Sequence, residues 1–217
     1  MDTFIDRADA GGRLAAKLER YRDRENAVVL AIPRGGLVVG AVLARELALP
    51  LDVVLTKKIG HPDQPEFAIG VVDLESEVID RGAVERDSVR PEYLRAEIER
   101  IRGLLRRRDA EYRAGRPPLE VAGKTVLLTD DGIATGNTVE AAIRLLRKRG
   151  AARIILAVPV APIQAVARLS GLVDELVCVL APDNFFAIGQ FYDDFEQVRD
   201  EEAMALLRVE EPRPARR

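Results

Sequence analysis

Short runs of Val, Ile and Leu alternate along this chain with stretches whose apolar residues recur at helical spacing. The runs "AVVLAI" (27–32), "DVVLTK" (52–57), "FAIGVVD" (67–73), "KTVLLTD" (124–130), "RIILAVPV" (153–160) and "DELVCVLA" (174–181) predict strands. Their near-continuous apolar character is that of strands covered on both faces. Helices are predicted between several of them, over 36–47, 138–149 and 162–169, with Gly150 stopping the second. Such alternation predicts an α/β fold, a mostly parallel central sheet with helices on both faces.

Two stretches break the alternation. From about Arg90 to Gly115 the chain is strongly charged, yet Leu94, Ile98, Ile101, Leu105 and Tyr112 fall on one helical stripe. This predicts a long helix whose stripe needs cover, from its own sheet or from a second copy of the chain in a homodimer. After Pro182 come Phe185, Phe186, Phe191, Tyr192 and Phe195, then a predicted helix near 201–207 and a tail, "EEPRPARR", expected to be frayed.

Composition narrows the class of function. The 217 residues suit one domain, and 47% hydrophobic with 32% charged residues is the balance of a soluble globular protein. A net charge of -3 argues against a general nucleic-acid binder, although "LLRRRDAEYR" supplies a local basic patch. The acids Glu92, Glu97, Glu99, Asp109 and Glu111 are mixed into that patch and favour a salt-bridged face. A single cysteine, Cys178, excludes an internal disulfide framework, and no apolar run is long enough to span a membrane. With no apolar leader in "MDTFIDRADAGG", the expected location is the cytoplasm. Only five of the 33 basic residues are lysines, and two of those, Lys57 and Lys58, are adjacent.

The chemistry concentrates in "TDDGIATGNT" (129–138). Asp130 and Asp131 end a predicted strand, where open α/β sheets place their ligands. Ala134, Thr135, Gly136, Asn137 and Thr138 form the turn into the next helix, whose free amides and positive dipole end suit a phosphate. The two acids would repel that phosphate, so they must face another part of the ligand, one rich in hydroxyls. A ribose 5-phosphate has both parts, although the same spacing also serves an ordinary helix cap. Gly132 and Gly136 lack the following Lys-Ser/Thr and the wider spacing of a Walker loop, and no G-x-G-x-x-G occurs. "IPRGG" (32–36) follows the first strand, and Arg34 with the amides of Gly35 and Gly36 suits a diphosphate.

"VLLTDDGIATGNT" resembles the ribose-phosphate signature of type I phosphoribosyltransferases. The likeness extends from about Ala27 to Phe195 and is nearest to a bacterial group opening with an Asp-Arg-x-x-Ala-Gly segment, here "DRADAG". It implies a single phosphoribosyltransferase-like domain over 1–217: a core over about 25–181, a helical insertion over 84–116 and a small hood over 182–217 with the N-terminal segment. It implies transfer of ribose 5-phosphate from phosphoribosyl pyrophosphate to a nucleobase-like acceptor with Mg²⁺ as cofactor. Asp130 and Asp131 would hold the sugar, and Arg34, Lys57 and Lys58 with Gly35 and Gly36 the pyrophosphate. A cis peptide bond would precede Arg34, and "TKKIGHPDQPEFAIG" would be a lid, with His61 an exposed bystander and Glu66 a weak acceptor contact. In the hood, Phe186 or its neighbour Phe185 would stack on the base, and Asp193 would assist the metal. Ala134 stands where 6-oxopurine enzymes carry an acid, which leaves the acceptor open, and Gly132 replaces a bulky aliphatic, implying a looser turn. The other reading is a sensor that keeps the sugar-phosphate pocket and binds protein or nucleic acid through the helix at 90–115.

Overall fold

The computed structural model describes residues 2–209; the expected frayed tail, 210–217, and with it the end of the expected hood, lie outside the described residues. The chain forms α1 (Arg7–Lys17), β1 (Ala27–Ala31), α2 (Gly35–Leu47), β2 (Leu51–Val53), β3 (Lys57–Gly60), β4 (Ala68–Val72) and β5 (Glu77–Ile79). It continues through α3 (Arg81–Arg86), α4 (Pro91–Arg113), β6 (Thr125–Thr129), α5 (Asn137–Lys148), β7 (Arg153–Val160), α6 (Ile163–Ser170), β8 (Glu175–Leu180) and α7 (Asp200–Val209).

The central sheet is parallel throughout, in the order β2-β1-β6-β7-β8. Because side chains alternate across a strand, its all-apolar runs furnish two cores. Val29, Ala31, Leu127, Ile155 and Ala157 meet α1, α2, α4 and α7, while Val28, Leu30, Val126, Leu128, Leu156 and Val158 meet α5 and α6. Each large side chain fully buried in this way contributes roughly 1.5–3 kcal/mol of transfer free energy. The expected sandwich of helices on both faces is what forms.

Two strand expectations need correcting. The run 52–57 is two elements: Leu51–Val53 pairs with β1, and Lys57 begins β3. The run 67–73 does not join the parallel sheet; as β4 it lies between β3 and β5 in a separate antiparallel sheet. An apolar run carries no mark of which sheet it will enter, and only the polar Thr56-Lys57-Lys58 hints that the chain has left the core. The helix α1 is a further addition. Asp6 caps it by accepting the Asp9 amide at 2.8 Å, and it buries Ala10, Leu14 and Ala15.

On α4, Ile101, Leu105 and Tyr112 are buried and Leu94 and Ile98 pack against the same core, so the stripe finds its cover within the chain. The C-terminal end of α4 is pinned by Arg113, whose guanidinium donates to Asp52 at 2.9 and 3.1 Å and to the Val53 carbonyl at 2.8 Å. The aromatics after Pro182 form their own cluster, Phe4, Phe191 and Tyr192 with Phe185 and Phe195 against it. The N-terminus is stitched to it by Phe4 N donating to Phe191 O and Asp193 N donating to Phe4 O, both at 2.8 Å. Among the described residues no helix is long and apolar enough to cross a membrane.

Candidate active site

β6 ends at Thr129, and the acids follow at once at the carboxyl edge of the parallel sheet. The loop after β1 arrives beside them. A Cβ added to Gly35 would overlap the Asp131 carboxylate, and one on Gly36 would stand 2.9 Å from both Asp130 Cα and Asp130 Oδ1. Glycine is therefore what lets "PRGG" lie directly against the acidic pair. The Pro33–Arg34 peptide bond is cis.

Each acid has one oxygen anchored and one open. Asp130 Oδ1 accepts the Asp131 amide at 2.8 Å, and Asp131 Oδ2 accepts Arg7 Nε at 2.7 Å. No N–H or O–H donor among the described residues reaches either remaining oxygen, and the two carboxyl groups lie within reach of each other. Burial, and secondarily the neighbouring Asp131 charge, hold the Asp130 carboxyl well above the usual carboxylate range. Asp131 is fixed further by Tyr192, whose hydroxyl donates to its backbone carbonyl at 2.5 Å. Burial and then the Asp131 charge push that phenol strongly up, so it stays a donor.

Six residues after Asp130 the chain turns into α5. Gly136 adopts φ 77° as the residue before α5, and no protein acceptor is found among the described residues for the amides of Thr135 to Thr138. Ala134, Thr135, Asn137 and Thr138 are exposed. Arg168 from α6 braces the loop by donating to the Thr135 carbonyl at 2.5 Å and pairing with Glu140. Gly132 does not loosen this turn. It is buried, a Cβ there would lie 2.6 Å from Ile188 Cγ2, and the next amide donates to Val160 O at 2.8 Å.

The other predicted residues separate clearly. Lys57 lines a cleft with Ile32, Pro33 and Thr138, whereas Lys58 points away and pairs with Glu66 at 2.8 Å, which occupies both of those side chains. Arg34 follows Pro33 of that lining, with Nη1 3.8 Å from Asp200. His61 is not on the surface: it is 7% exposed, turned in against Phe67, with Nδ1 accepting the Asp63 amide and Nε2 3.9 Å from Asp87. Phe185 stacks on Phe191 with centroids 5.5 Å apart, while Phe186 is 92% exposed. The Asp193 side chain is exposed.

Among the described residues no three His, Cys, Asp or Glu side chains cluster as a self-sufficient metal site. A single exposed carboxylate such as Asp193 suits a magnesium ion held largely by phosphate and water oxygens.

Arg7 and Tyr192 were not singled out as site residues in the sequence. Arg7 spans the site, its guanidinium 3.8 Å above the Phe195 ring while it holds Asp131 and the Glu196 carbonyl. The one available signal was its place in "DRADAG".

Known proteins share this chain's sequence family and fold. A family model described as the phosphoribosyl transferase domain matches residues 5–196. A "putative phosphoribosyl transferase" of Mycobacterium tuberculosis, found in two strains, is 40% identical over 212 residues, 95% of this chain and 47% of that protein. The chain thus spans about half the length of those relatives. The crystal structure of TT1426 from Thermus thermophilus is 41% identical, covers 97% of this chain and 99% of its own, and superposes with a TM-score of 0.87. With the twin acids, the glycine loop and the amide-lined turn gathered at one sheet edge, the chain belongs to the phosphoribosyl transferase domain family.

Proposed function

We propose that the chain transfers ribose 5-phosphate from phosphoribosyl pyrophosphate to a ring nitrogen of a nucleobase or related heterocycle, releasing pyrophosphate. The observation that carries this reading is the pair of open carboxylate oxygens on Asp130 and Asp131, set between an amide-lined turn and a glycine-arginine loop. The amides of Thr135 to Thr138 take the 5′-phosphate, and the open oxygens accept from the two ribose hydroxyls. Arg34 and Lys57 hold the pyrophosphate.

As the bond to pyrophosphate lengthens, positive charge grows at C1, and the two carboxylates stabilise it. No protein nucleophile is needed; position and electrostatics lower the barrier. Arg7 and Tyr192 keep Asp131 aimed while this happens. Phe186, with its ring free, offers a face on which a base stacks for roughly 1–3 kcal/mol. A Mg²⁺ held by the diphosphate with Asp193 assisting would offset charge on the leaving group.

The test is pyrophosphate release from phosphoribosyl pyrophosphate and Mg²⁺ across a panel of nucleobases and small heterocycles. Release that depends on one added base, and that is lost in Asp131→Asn and Arg34→Ala while their thermal melts stay native-like, is the expected result. Undiminished release in either variant would contradict the assignment.

A further inference from the structure

The cleft beside Arg34 and Lys57 has a volume of about 530 Å³, and three of its sides are those already described: Pro33 after β1, Thr56 and Lys57 at the start of β3, and Thr138 at the start of α5. Its fourth side is α4, which presents Leu104, Arg107, Arg108 and Glu111. Most arginines of this helix are spent on neighbouring acids: Arg95 on Glu92, Arg100 on Glu97, and Arg102 on Glu99 and Glu77. Arg107 has no carboxylate partner among the described residues, and Arg108 reaches across to Asp200 at 3.2 Å.

Asp200 is where two cations meet. Its Oδ1 accepts from Arg108 and, at 3.0 Å, from the Tyr112 hydroxyl, while its Oδ2 lies 3.8 Å from Arg34 Nη1. Two guanidiniums from distant parts of the chain thus share the two oxygens of one carboxylate. Among the residues lining the cleft, Lys57, Arg107 and Arg108 stand against one acid, Glu111, with Arg34 and Asp200 adjoining and Glu97, already paired with Arg100, near Lys57, an excess of positive charge that attracts a polyanion.

We propose that α4 is a wall of the donor site: Arg107 and Arg108 bind the diphosphate together with Arg34, and Asp200 is the internal carboxylate with which that diphosphate competes. This rests on the reading of the cleft as a phosphoribosyl pyrophosphate site. A diphosphate has more charge and more acceptor oxygens than one carboxylate, and guanidiniums pair with it in a forked geometry. The long charged segment, which the sugar-phosphate motifs leave without a role, thereby acquires one in ligand affinity.

The experiment is calorimetric titration of the full chain with pyrophosphate plus Mg²⁺ and, separately, with ribose 5-phosphate. Arg107→Ala, which breaks no ion pair, weakens pyrophosphate about tenfold, and Arg107→Ala/Arg108→Ala weakens it further, on the scale of one charge-assisted contact each. Asp200→Asn tightens it. Ribose 5-phosphate affinity stays unchanged in all three variants, and their melts confirm folding. Unchanged pyrophosphate affinity in the double variant would overturn the role of α4 and leave the donor site standing. Failure of the wild-type chain to bind either probe would overturn the donor-site reading and this inference with it.

Discussion

Asp130 sets stability against chemistry. Its folded-state pKa is raised by burial and by Asp131, so the folded chain keeps this proton to a higher pH than the unfolded chain does. The contribution to stability is therefore full below the ordinary carboxylate value and is lost as pH rises through the raised one. Asp130→Asn should raise the melting temperature at pH 7, by about 2–4 °C per kcal/mol in a chain this size, with the gain shrinking toward pH 4. In the wild type, turnover should rise with pH through that same raised value, since the sugar contact needs the ionised form. Paired melting curves and pH–rate profiles check both, and a variant that melts lower at pH 7 would refute the account. The acidic pair itself was legible, because two acids at a strand end before a Thr-Gly-Asn-Thr turn are a local pattern. Arg7 was not, because nothing near position 7 marks a partner at position 131. His61 was misplaced for the opposite reason: its Pro-rich neighbourhood looks like surface, yet the ring turns inward on Phe67.

At the level of elements, α4 walls the cleft that holds Lys57, and its C-terminal end is held by a buried ion pair. Arg113 and Asp52 have side chains 6% and 8% exposed, and Asp52 also accepts the amides of Val53 at 2.7 Å and Leu119 at 2.8 Å. Asp52→Ala leaves the buried guanidinium with Asp109 as its remaining carboxylate and strips the Leu119 amide of its acceptor, and should cost about 3–5 kcal/mol in denaturant unfolding. Replacing both residues with apolar ones of similar volume should cost less than the single change. A loss under 1 kcal/mol for Asp52→Ala would show that α4 is anchored elsewhere. The helix was readable from its stripe, and so were the strands of the parallel sheet, whose runs are long and apolar. The division of 52–57 between two sheets was not, since it is decided by where β2 finds β1 and by the Arg113 clamp sixty residues on. The helix α1 escaped notice because its first turns, "RADAGG", are small and polar and its packing on α2 is a tertiary fact.

Across the whole molecule, the sheet gathers at one edge what the chain scatters: "IPRGG" from the first third, the twin acids and amide turn from the middle, and the aromatic cluster from the end. The N-terminal segment joins them, since Phe4 pairs with the aromatic cluster and Arg7 holds Asp131. The stripe of α4 is covered by its own chain, which removes it as a ground for expecting a homodimer. Most charges of that helix are likewise paired along its length, and the cations left over gather in the cleft and not in a stripe that would track a nucleic-acid backbone. A crystal soaked with phosphoribosyl pyrophosphate tests the central claim most directly. The account predicts the 5′-phosphate on the amides of Thr135 to Thr138 and the two ribose hydroxyls on the open oxygens of Asp130 and Asp131. A sugar bound elsewhere, or acids left facing only Arg7 and the backbone, would contradict it.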